Sequence, residues 1–319
     1  MTGPMPTDSD TPTILVTGAA GRHGGTGPHV VRLLRARGLP VRAMVRRLDE
    51  RADHLRALGA EVVAGDFHNV ASLRVALDGV GRAYFSYPID ARLLEAATTM
   101  ATAAREAGLR ALVHNSLMPA RADHPSPEAR GHWLAERVFQ WAGVGAVQVR
   151  GAFFYENLVR WVGARAAAGE ICLPFGAGSG SAAWVAATDV ARVVAAILAD
   201  PAPHLGRTYD VTGPDAPTFD GVAALFARAL GRPVAYVDIP PDRWERDLAE
   251  VEGPNPHLIE HLSRLADGFR QRRGGGMVTD VARRVAGVEP QSLSAFIEAW
   301  AHPRTLSGHP HTRSRRPRP

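Results

Sequence analysis

A glycine-rich stretch constrains the fold of this chain more than any other sequence feature. It covers residues 17–27 and reads TGAAGRHGGTG. The four residues before it, TILV, are apolar and mostly β-branched, which predicts a buried strand. After it, Val30, Val31, Leu33 and Leu34 have the spacing of one helix face. A strand, a glycine loop and a helix in this order are typical of a dinucleotide-binding site.

The glycines of this loop are candidate cofactor-binding residues. Gly18, Gly21 and Gly24 follow one another at intervals of three, and Gly25 and Gly27 come after them. Glycine lets the backbone turn sharply and approach a pyrophosphate closely, while the start of the helix attracts the phosphate charge. A glycine-rich turn without a ligand is the alternative. We interpret the stretch as a nucleotide-binding loop.

Strand and helix patterns alternate along the chain after the loop. The fifth strand is expected at residues 111–113 and a helix at 158–168. Thr188 or Asp189 is expected to cap a further helix that ends at Leu198. Such alternation predicts the α/β class, with a doubly wound parallel Rossmann sheet and a smaller C-terminal substrate-binding region. We assign 13–155 to the NAD(P)-binding core and 156–303 to the part that completes the sheet and forms the substrate region. Residues 1–12 and the basic tail 304–319 are expected to be disordered.

The basic residues narrow the possible chemistry. All 37 are arginine, so a Schiff-base lysine, a P-loop lysine and the Tyr-x-x-x-Lys pair of short-chain dehydrogenases are excluded. Five of these arginines lie in the 304–319 tail, which leaves 37 − 5 = 32 against 32 acidic residues. The positive net charge therefore does not predict a nucleic-acid-binding protein.

Other features bear on location and metal binding. No apolar run reaches the length of a membrane span, and residues 1–12 lack the pattern of a signal peptide. Cys172 is the single cysteine, so no intrachain disulfide can form, and a cytoplasmic protein is expected. The 13 histidines show no compact ligand pattern, so no metal site is predicted.

Several stretches together resemble the NmrA-like family of atypical short-chain dehydrogenase/reductases. They are TGAAG in the loop, VRAMVRR (41–47), GAEVVAGDF (59–67), VHNSLM (113–118), HWLAE (132–136), VRGAFFYENL (149–158), AATDVA (186–191) and GRTYDVTGP (206–214). The resemblance covers roughly residues 13–300. It implies a Rossmann fold and an NADP(H) or NAD(H) cofactor, in a family that contains both reductases and non-catalytic NADPH-sensing regulators.

Further cofactor-binding residues are expected at the ends of the second, third and fourth strands. Arg46 follows the second strand, where an arginine accommodates the 2′-phosphate of NADP and an acid would favour NAD. A solvated basic surface is the alternative for Arg46. The resemblance places Asp66 and Phe67 beside the adenine, although Gly-Asp is also ordinary turn chemistry. Phe85 ends the fourth strand, where ligands of doubly wound sheets bind.

Two residues are candidates for catalysis by resemblance. Ser116 matches the serine that relatives keep near the nicotinamide, and it could donate a hydrogen bond to a substrate carbonyl. His132 and Glu136 occupy the positions of the standard Tyr and Lys, and His132 could donate a proton near neutral pH. The alternatives are a serine that bonds its own turn and a pair on the helix surface.

Aromatic and polar residues near the strand ends are candidates for binding the substrate. An apolar pocket for a flat substrate would use such side chains, although ordinary core packing explains aromatic residues equally well. The candidates are Tyr87, Met118, Phe153, Asn157 and Trp161.

These observations favour NADPH-dependent hydride transfer to a quinone-like or conjugated carbonyl acceptor, including compounds of secondary metabolism. Reduction of a simple ketone gives a strongly basic alkoxide that needs an adjacent acid, whereas a hydroquinone anion is a weaker base and can take its proton from water. The absence of lysine therefore favours the quinoid acceptor. One alternative is a non-enzymatic NADP(H)-sensing regulator that binds a partner protein; another is a dehydratase or epimerase. The expected partner of a reductase is a small molecule, and a homodimer is compatible with the sequence.

Overall fold

The computed structural model describes residues 12–21, 25–271 and 276–302. Within them, the strands are β1 (Thr13–Val16), β2 (Val41–Val45), β3 (Glu61–Ala64), β4 (Val80–Phe85), β5 (Ala111–Leu117), β6 (Ala146–Gly151), β7 (Phe153–Phe154), β8 (Glu170–Leu173), β9 (Trp184–Val185), β10 (Thr208–Val211) and β11 (Ala235–Asp238). The helices are α1 (Thr26–Arg35), α2 (Glu50–Ala57), α3 (Val70–Leu77), α4 (Leu93–Glu106), α5 (Pro127–Ala142), α6 (Tyr155–Ala166), α7 (Ala187–Ala199), α8 (Phe219–Leu230), α9 (Pro241–Glu252), α10 (Pro256–Arg270), α11 (Val281–Ala286) and α12 (Leu293–Ala301).

Seven parallel strands form the central sheet in the order β10-β6-β5-β4-β1-β2-β3. The order reverses beside β1, which pairs with β2 on one side and β4 on the other. Side chains alternate across the strands, so Ile14 and Val16 pack into the core on one face and Leu15 into the core on the other. This arrangement confirms the predicted doubly wound parallel sheet.

Helices cover both faces of the sheet. The first core holds side chains from α1, α2, α7 and α11, and the second holds side chains from α3, α4 and α5. Helix α5 is well defined at both ends, because the Ser126 hydroxyl accepts the amide of Ala129 at 3.3 Å and Gly143 ends the helix at a φ of 67°. This helix carries most of the polar side chains discussed below.

The C-terminal part of the chain contributes to two cores. Strand β10 adds the last strand to the central sheet next to β6. The parallel pair β8–β11 and helices α6, α8, α9, α10 and α12 enclose a third, aromatic-rich core. We call this third core and its elements the C-terminal lobe.

Three predictions about individual elements were wrong. Strand β5 extends to Leu117 beyond the expected end at residue 113, because it pairs with β6 as far as Gly151. Helix α6 begins at Tyr155, three residues before its expected start. Helix α7 is capped neither by Thr188 nor by Asp189: both oxygens of Glu156, in α6, accept the amide of Ala187 at 3.2 Å.

The predicted ends of the chain lie largely outside the described residues. This applies to residues 1–11 and to the whole basic tail 304–319. Within the described parts of the chain, no helix combines the length and the hydropathy needed to cross a membrane.

Candidate active site

Two glycines fix the path of the loop between β1 and α1. Gly18 has a φ of +65°, and a Cβ built on it would lie 3.1 Å from the Cβ of Ser86. A Cβ on Gly27 would lie 2.4 Å from the carbonyl oxygen of Gly18, closer than any real contact. The Thr17 hydroxyl donates to the carbonyl of Tyr84 and accepts the amide of Ser86, both at 2.9 Å. Close packing of loop, helix and β4 therefore requires glycine at positions 18 and 27.

Packing does not require glycine at Gly21, another of the predicted loop positions. Gly21 donates its amide to the carbonyl of Gly18 at 3.3 Å, and a Cβ there would lie no closer than 3.5 Å to the atoms around it. Its place is therefore not dictated by packing. Gly24 lies outside the described residues.

Arg46 lies on the surface directly after β2. Its side chain is exposed and forms no hydrogen bond or ion pair with the described residues. Nearby, Arg51 donates to the carbonyl of Ala20 at 3.1 Å and pairs with Asp49, which ties α2 to the glycine loop. The two arginines thus differ: Arg51 is engaged within the protein, and Arg46 leaves its guanidinium open to an anionic ligand.

Asp66 and its neighbours form the turn after β3. An Asp66 oxygen accepts the amide of His68 at 3.0 Å, and the Asp66 amide donates to Ser72 at 2.9 Å. Phe67 is half-buried, with its ring 5.1 Å from that of Phe85 and 5.4 Å from that of Tyr87. An ordinary turn, the alternative to adenine binding at this position, therefore accounts for one of the two Asp66 carboxylate oxygens.

Phe85 and Tyr87 at the end of β4 differ in accessibility. The Phe85 side chain is fully buried among Phe67, His114 and Phe139, so it offers no surface to a ligand. Phe85 can therefore affect cofactor binding only indirectly, by supporting the residues at the end of β4. Tyr87 is half-buried, and its hydroxyl lies 2.9 Å from Nε2 of His68.

Ser116 belongs to a buried ion-pair network. Its hydroxyl donates to Oε1 of Glu136 at 2.7 Å. The Glu136 carboxylate is fully buried and receives two hydrogen bonds from Arg150 in β6, at 2.7 and 2.6 Å. The sequence suggests that Ser116 donates a hydrogen bond to a substrate carbonyl. A hydroxyl has only one proton, and in this structure Ser116 donates it to Glu136 instead. The side chain is 2% exposed, so this group shapes the site from beneath its surface.

His132 and Glu136 are not a helix-surface pair, because both side chains are buried on the inner face of α5. His132 Nδ1 lies 3.3 Å from Nε2 of His114, with the two rings stacked, and its Nε2 lies 3.2 Å from Oε1 of Glu128. Burial lowers the pKa of His132 to about 4. The imidazole is therefore neutral at pH 7 and carries a single N–H proton, and the role of His132 as a proton donor stays a prediction.

Glu128 connects this helix to the C-terminal lobe. Its Oε2 lies 2.7 Å from Nε2 of His257 on α10, while its side chain is 1% exposed. Burial raises the pKa of the Glu128 carboxyl to about 7. On the same helix α10, Nδ1 of His261 lies 2.7 Å from the Ser126 hydroxyl. Polar groups thus join α5 and α10 at the start of α5.

The predicted substrate residues fall into two places. Met118 lies after β5, where its amide donates to the carbonyl of Gly151 at 3.1 Å. Phe153, Asn157 and Trp161 lie in the C-terminal lobe, where the Trp161 indole donates to Glu252 at 2.8 Å and Asn157 accepts a hydrogen bond from Arg160 at 3.0 Å. The Phe153 ring is surrounded by Trp161, Phe175, Trp184 and Phe269. Core packing therefore accounts for much of this aromatic cluster.

Sequence reasoning missed the residues that complete the polar network. They are His114, Glu128, Gln148, Arg150 and His257. Two signals were present: His114 precedes Ser116 by two residues on one strand face, and Glu128 precedes His132 by one helical turn. His257 carried no signal, because it lies 129 residues from its partner Glu128.

The geometry fits a nicotinamide dinucleotide. The close approach of Gly27 to the Gly18 carbonyl leaves the start of α1 next to the loop, and Arg46 provides an open cation after β2. No group of three or more His, Cys, Asp or Glu side chains suited to a metal ion occurs among residues 12–21, 25–271 and 276–302.

Comparisons with known proteins agree with this geometry. The sequence profile of the NmrA-like family matches residues 10–308. An NAD(P)H azoreductase of Xenophilus azovorans is 36% identical over 290 residues, which are 90% of this chain and 98% of the relative. A reductase of Streptomyces griseus that acts on (4-alkanoyl-5-oxo-2,5-dihydrofuran-3-yl)methyl phosphate is 33% identical over 82% of this chain and 88% of its own length. The Escherichia coli quinone oxidoreductase QOR2, solved with NADPH, superposes with a TM-score of 0.78 at 24% identity, covering 91% of this chain and all of that one, and so shares the fold.

Proposed function

Because the chain belongs to the NmrA-like family, we propose that it is an NAD(P)H-dependent reductase that transfers hydride to a quinone, an azo compound or a conjugated carbonyl. The likeness to the azoreductase, which extends over nearly the whole of both chains, carries this proposal. The absence of lysine supports the same acceptor class, because reduction of these compounds produces anions that are weaker bases than an alkoxide.

The cofactor would be held by the loop and the strand ends. Gly18 and Gly27 would allow the pyrophosphate to approach the start of α1, and Arg46 would bind the 2′-phosphate of NADP. A bound reduced nicotinamide supplies a hydride. The residues of this chain then have to orient the acceptor, exclude water and provide a proton.

The acceptor would bind beyond the carboxyl ends of β4 and β5. Tyr87 and Met118 are partly accessible there. The Ser116–Glu136–Arg150 network would keep the end of β5 rigid beneath the acceptor. Phe153, Asn157 and Trp161 would bound the far side of the acceptor from the C-terminal lobe.

The test is a turnover assay combined with a binding measurement. Purified protein should bind NADPH more tightly than NADH, and it should oxidise NADPH in the presence of quinones or azo dyes well above background. Tight binding without turnover on any acceptor would contradict the reductase and favour the NADP(H)-sensing regulator. In that case the reduced and oxidised cofactors should differ in affinity, because a ligand shifts a switch only through such a difference.

The location and assembly of the protein belong to the same proposal. The buried, unpaired Cys172 is in keeping with a reducing cytoplasm. A homodimer is the simplest assembly for such a protein. Mass measurement in solution tests the dimer.

A further inference from the structure

A line of buried polar side chains runs from the central sheet to the C-terminal lobe. It begins at Gln148, whose Oε1 lies 2.9 Å from Nδ1 of His114, and continues to His132 at 3.3 Å. From His132 it reaches Glu128 at 3.2 Å and then His257 at 2.7 Å. Of these contacts, the one between Glu128 and His257 is a hydrogen bond between two ionisable groups, so a proton can pass directly between them.

The outer end of this line lies where a ligand of the sheet would bind. The backbone of Asp90, in the loop that follows β4, lies close enough to the Glu128 carboxyl to lower its pKa. Next to it, Asn255 at the start of α10 donates to the carbonyl of Ile89 at 3.3 Å. Glu128 and His257 therefore stand at the carboxyl ends of β4 and β5, the edge at which doubly wound sheets bind their ligands.

Accessibility distinguishes the members of the line. The side chains of Glu128 and His132 are 1% and 3% exposed, whereas that of His257 is 20% exposed. His257 turns Nε2 toward Glu128, and its Nδ1 forms no hydrogen bond with the described residues. His257 is thus the point at which this line can exchange a proton with water or with a bound molecule.

We propose that Glu128 and His257 form a proton store that supplies the proton consumed when the acceptor is reduced. This inference rests on the proposed function. The acceptor gains two electrons and one hydrogen as hydride, and the negative charge left on its oxygen or nitrogen takes a proton from Nδ1 of His257. The electron pair of that N–H bond stays on the imidazole, and Nε2 takes the proton of the Glu128 carboxyl. Water then returns one proton to the pair through the exposed edge of His257.

The surroundings of Glu128 are suited to this role. Burial raises the pKa of its carboxyl to about 7, so the group can hold and release a proton near neutral pH. The ionisable groups that face it or its imidazole partners are His132 and Glu136 from its own helix, His114 from β5, His257 and His261 from α10, and Asp90 and His124 from the loops. Burial keeps His132, His261 and His124 neutral, since it lowers the pKa of each well below 6.5. The stored proton is therefore assigned to the Glu128 carboxyl and not to these imidazoles.

Two acceptor classes separate proton supply from a structural role. A quinone or azo compound takes a hydride and a proton, whereas a triarylmethyl cation dye takes a hydride alone and becomes neutral. In Glu128→Gln and His257→Gln, the ratio of quinone turnover to dye turnover should fall roughly 10-fold. This is less than the 10²- to 10⁴-fold of ordinary general acid catalysis, because water can partly replace the store. His204→Gln, which removes an imidazole bonded to Tyr209 far from this edge, is the control and should keep the wild-type ratio.

The outcomes distinguish this proposal from the proposed function. An equal fall for both acceptors, or no fall for either, would overturn the proton store while leaving the reductase in place. A wild-type protein that reduces neither acceptor would overturn the reductase itself. Thermal unfolding of each variant ensures that only folded protein is compared.

A second measurement needs neither cofactor nor turnover. Carboxyl ¹³C NMR of the glutamate-labelled protein should show one resonance, absent in Glu128→Gln, that titrates near pH 7. In His257→Gln its midpoint should move upward, because the imidazole hydrogen bond stabilises the carboxylate. A Glu128 resonance that titrates at an ordinary glutamate value, about 4.3, would contradict the store.

Discussion

At the scale of single residues, Gly27 and Gly25 offer a matched pair for testing the loop. A Cβ at position 27 would lie 2.4 Å from a backbone oxygen, whereas one at position 25 meets no described atom within 4 Å. Backbone cannot move aside as a side chain can, so Gly27→Ala should push α1 away from the loop. We expect a loss of about 1–3 kcal/mol in the free energy of unfolding, the usual range for overpacking.

Urea denaturation of both variants checks this expectation. Gly25→Ala should change stability by no more than a few tenths of a kcal/mol. It loses a favourable N-cap glycine, but the extended φ and ψ of Gly25 suit alanine, which lowers the backbone entropy of the unfolded chain and offsets this loss. Equal losses in the two variants would show that the crowding at Gly27 is relieved elsewhere. NADPH affinity should fall in Gly27→Ala as well, because the start of α1 would no longer lie beside the loop.

Arg46 allows a second test at this scale. A charged hydrogen bond contributes about 1.5–3 kcal/mol, so Arg46→Ala should weaken NADPH binding roughly 10- to 100-fold. NADH lacks the 2′-phosphate, and its affinity should barely change. Isothermal titration with both cofactors makes the comparison.

A nearby arginine serves as the control for Arg46. Arg56 lies on α2 and pairs with Asp53, so Arg56→Ala removes a surface charge without touching the expected phosphate site. Its effect on NADPH should be less than 3-fold, of the order of surface screening alone. Parallel losses of NADPH and NADH in Arg46→Ala would contradict the assignment of Arg46 to the 2′-phosphate.

At the scale of elements, the Glu136–Arg150 pair links α5 to β6 beneath Ser116. Removing one partner of a buried ion pair leaves the other charge buried without a partner, which lowers the free energy of unfolding by about 3–5 kcal/mol. Arg150 is 19% exposed, so we expect Glu136→Gln to cost somewhat less, about 2–3 kcal/mol. Chemical denaturation measures the loss.

A double variant is the check on this pair. Glu136→Gln with Arg150→Leu removes both charges, and it should recover at least 1 kcal/mol relative to Glu136→Gln alone. Additive losses would mean that the two residues act independently, in conflict with their two short hydrogen bonds.

The elements also show where sequence reasoning succeeded and where it failed. The short, apolar and mostly β-branched run of β1 and the helical spacing of α1 predicted both elements, because such local patterns determine which side chains a strand or a helix can bury. Strand β5 was cut short because His114 and Ser116 look like the polar end of a strand. In the structure they are buried, since Gln148 and Glu136 satisfy their hydrogen bonds. The cap of α7 comes from Glu156, 31 residues away, which a local capping rule cannot identify.

At the scale of the whole molecule, the class of the fold follows from local patterns, whereas the candidate site depends on contacts between distant segments. Strands that alternate with helices predict a doubly wound sheet and the edge at which a ligand binds. Those patterns placed Ser116 and His132 near this edge, but they did not identify the side chains that these two residues contact. Helix α10 meets α5 through His257 with Glu128 and His261 with Ser126, contacts that span 129 and 135 residues. No periodicity extends over such a distance.

The contact between α10 and α5 leads to a prediction about acid stability. Burial lowers the pKa of His261 to about 3, from a model-peptide value of about 6.5. Below about pH 6.5 His261 therefore binds a proton in the unfolded chain but not in the folded protein. The free energy of unfolding falls as the pH drops from about 6.5 toward 3. Such a group costs up to about 1.4 kcal/mol per pH unit in this window. Between pH 7 and pH 5 its share is about 2 kcal/mol.

His261→Asn removes this titration while retaining a side chain that can bond the Ser126 hydroxyl. Other buried groups titrate in the same range, among them Glu128, whose raised pKa favours the folded state on acidification. The informative quantity is therefore the difference between two proteins, measured by urea denaturation at pH 7, 6 and 5. The variant should lose about 1–2 kcal/mol less than the wild type over this range, even if it is less stable at pH 7. His302→Asn, at an exposed position after α12, should follow the wild-type slope. If His261→Asn also followed that slope, the imidazole would not be held neutral between α10 and α5, and the polar contact between the two helices would be looser than this geometry requires.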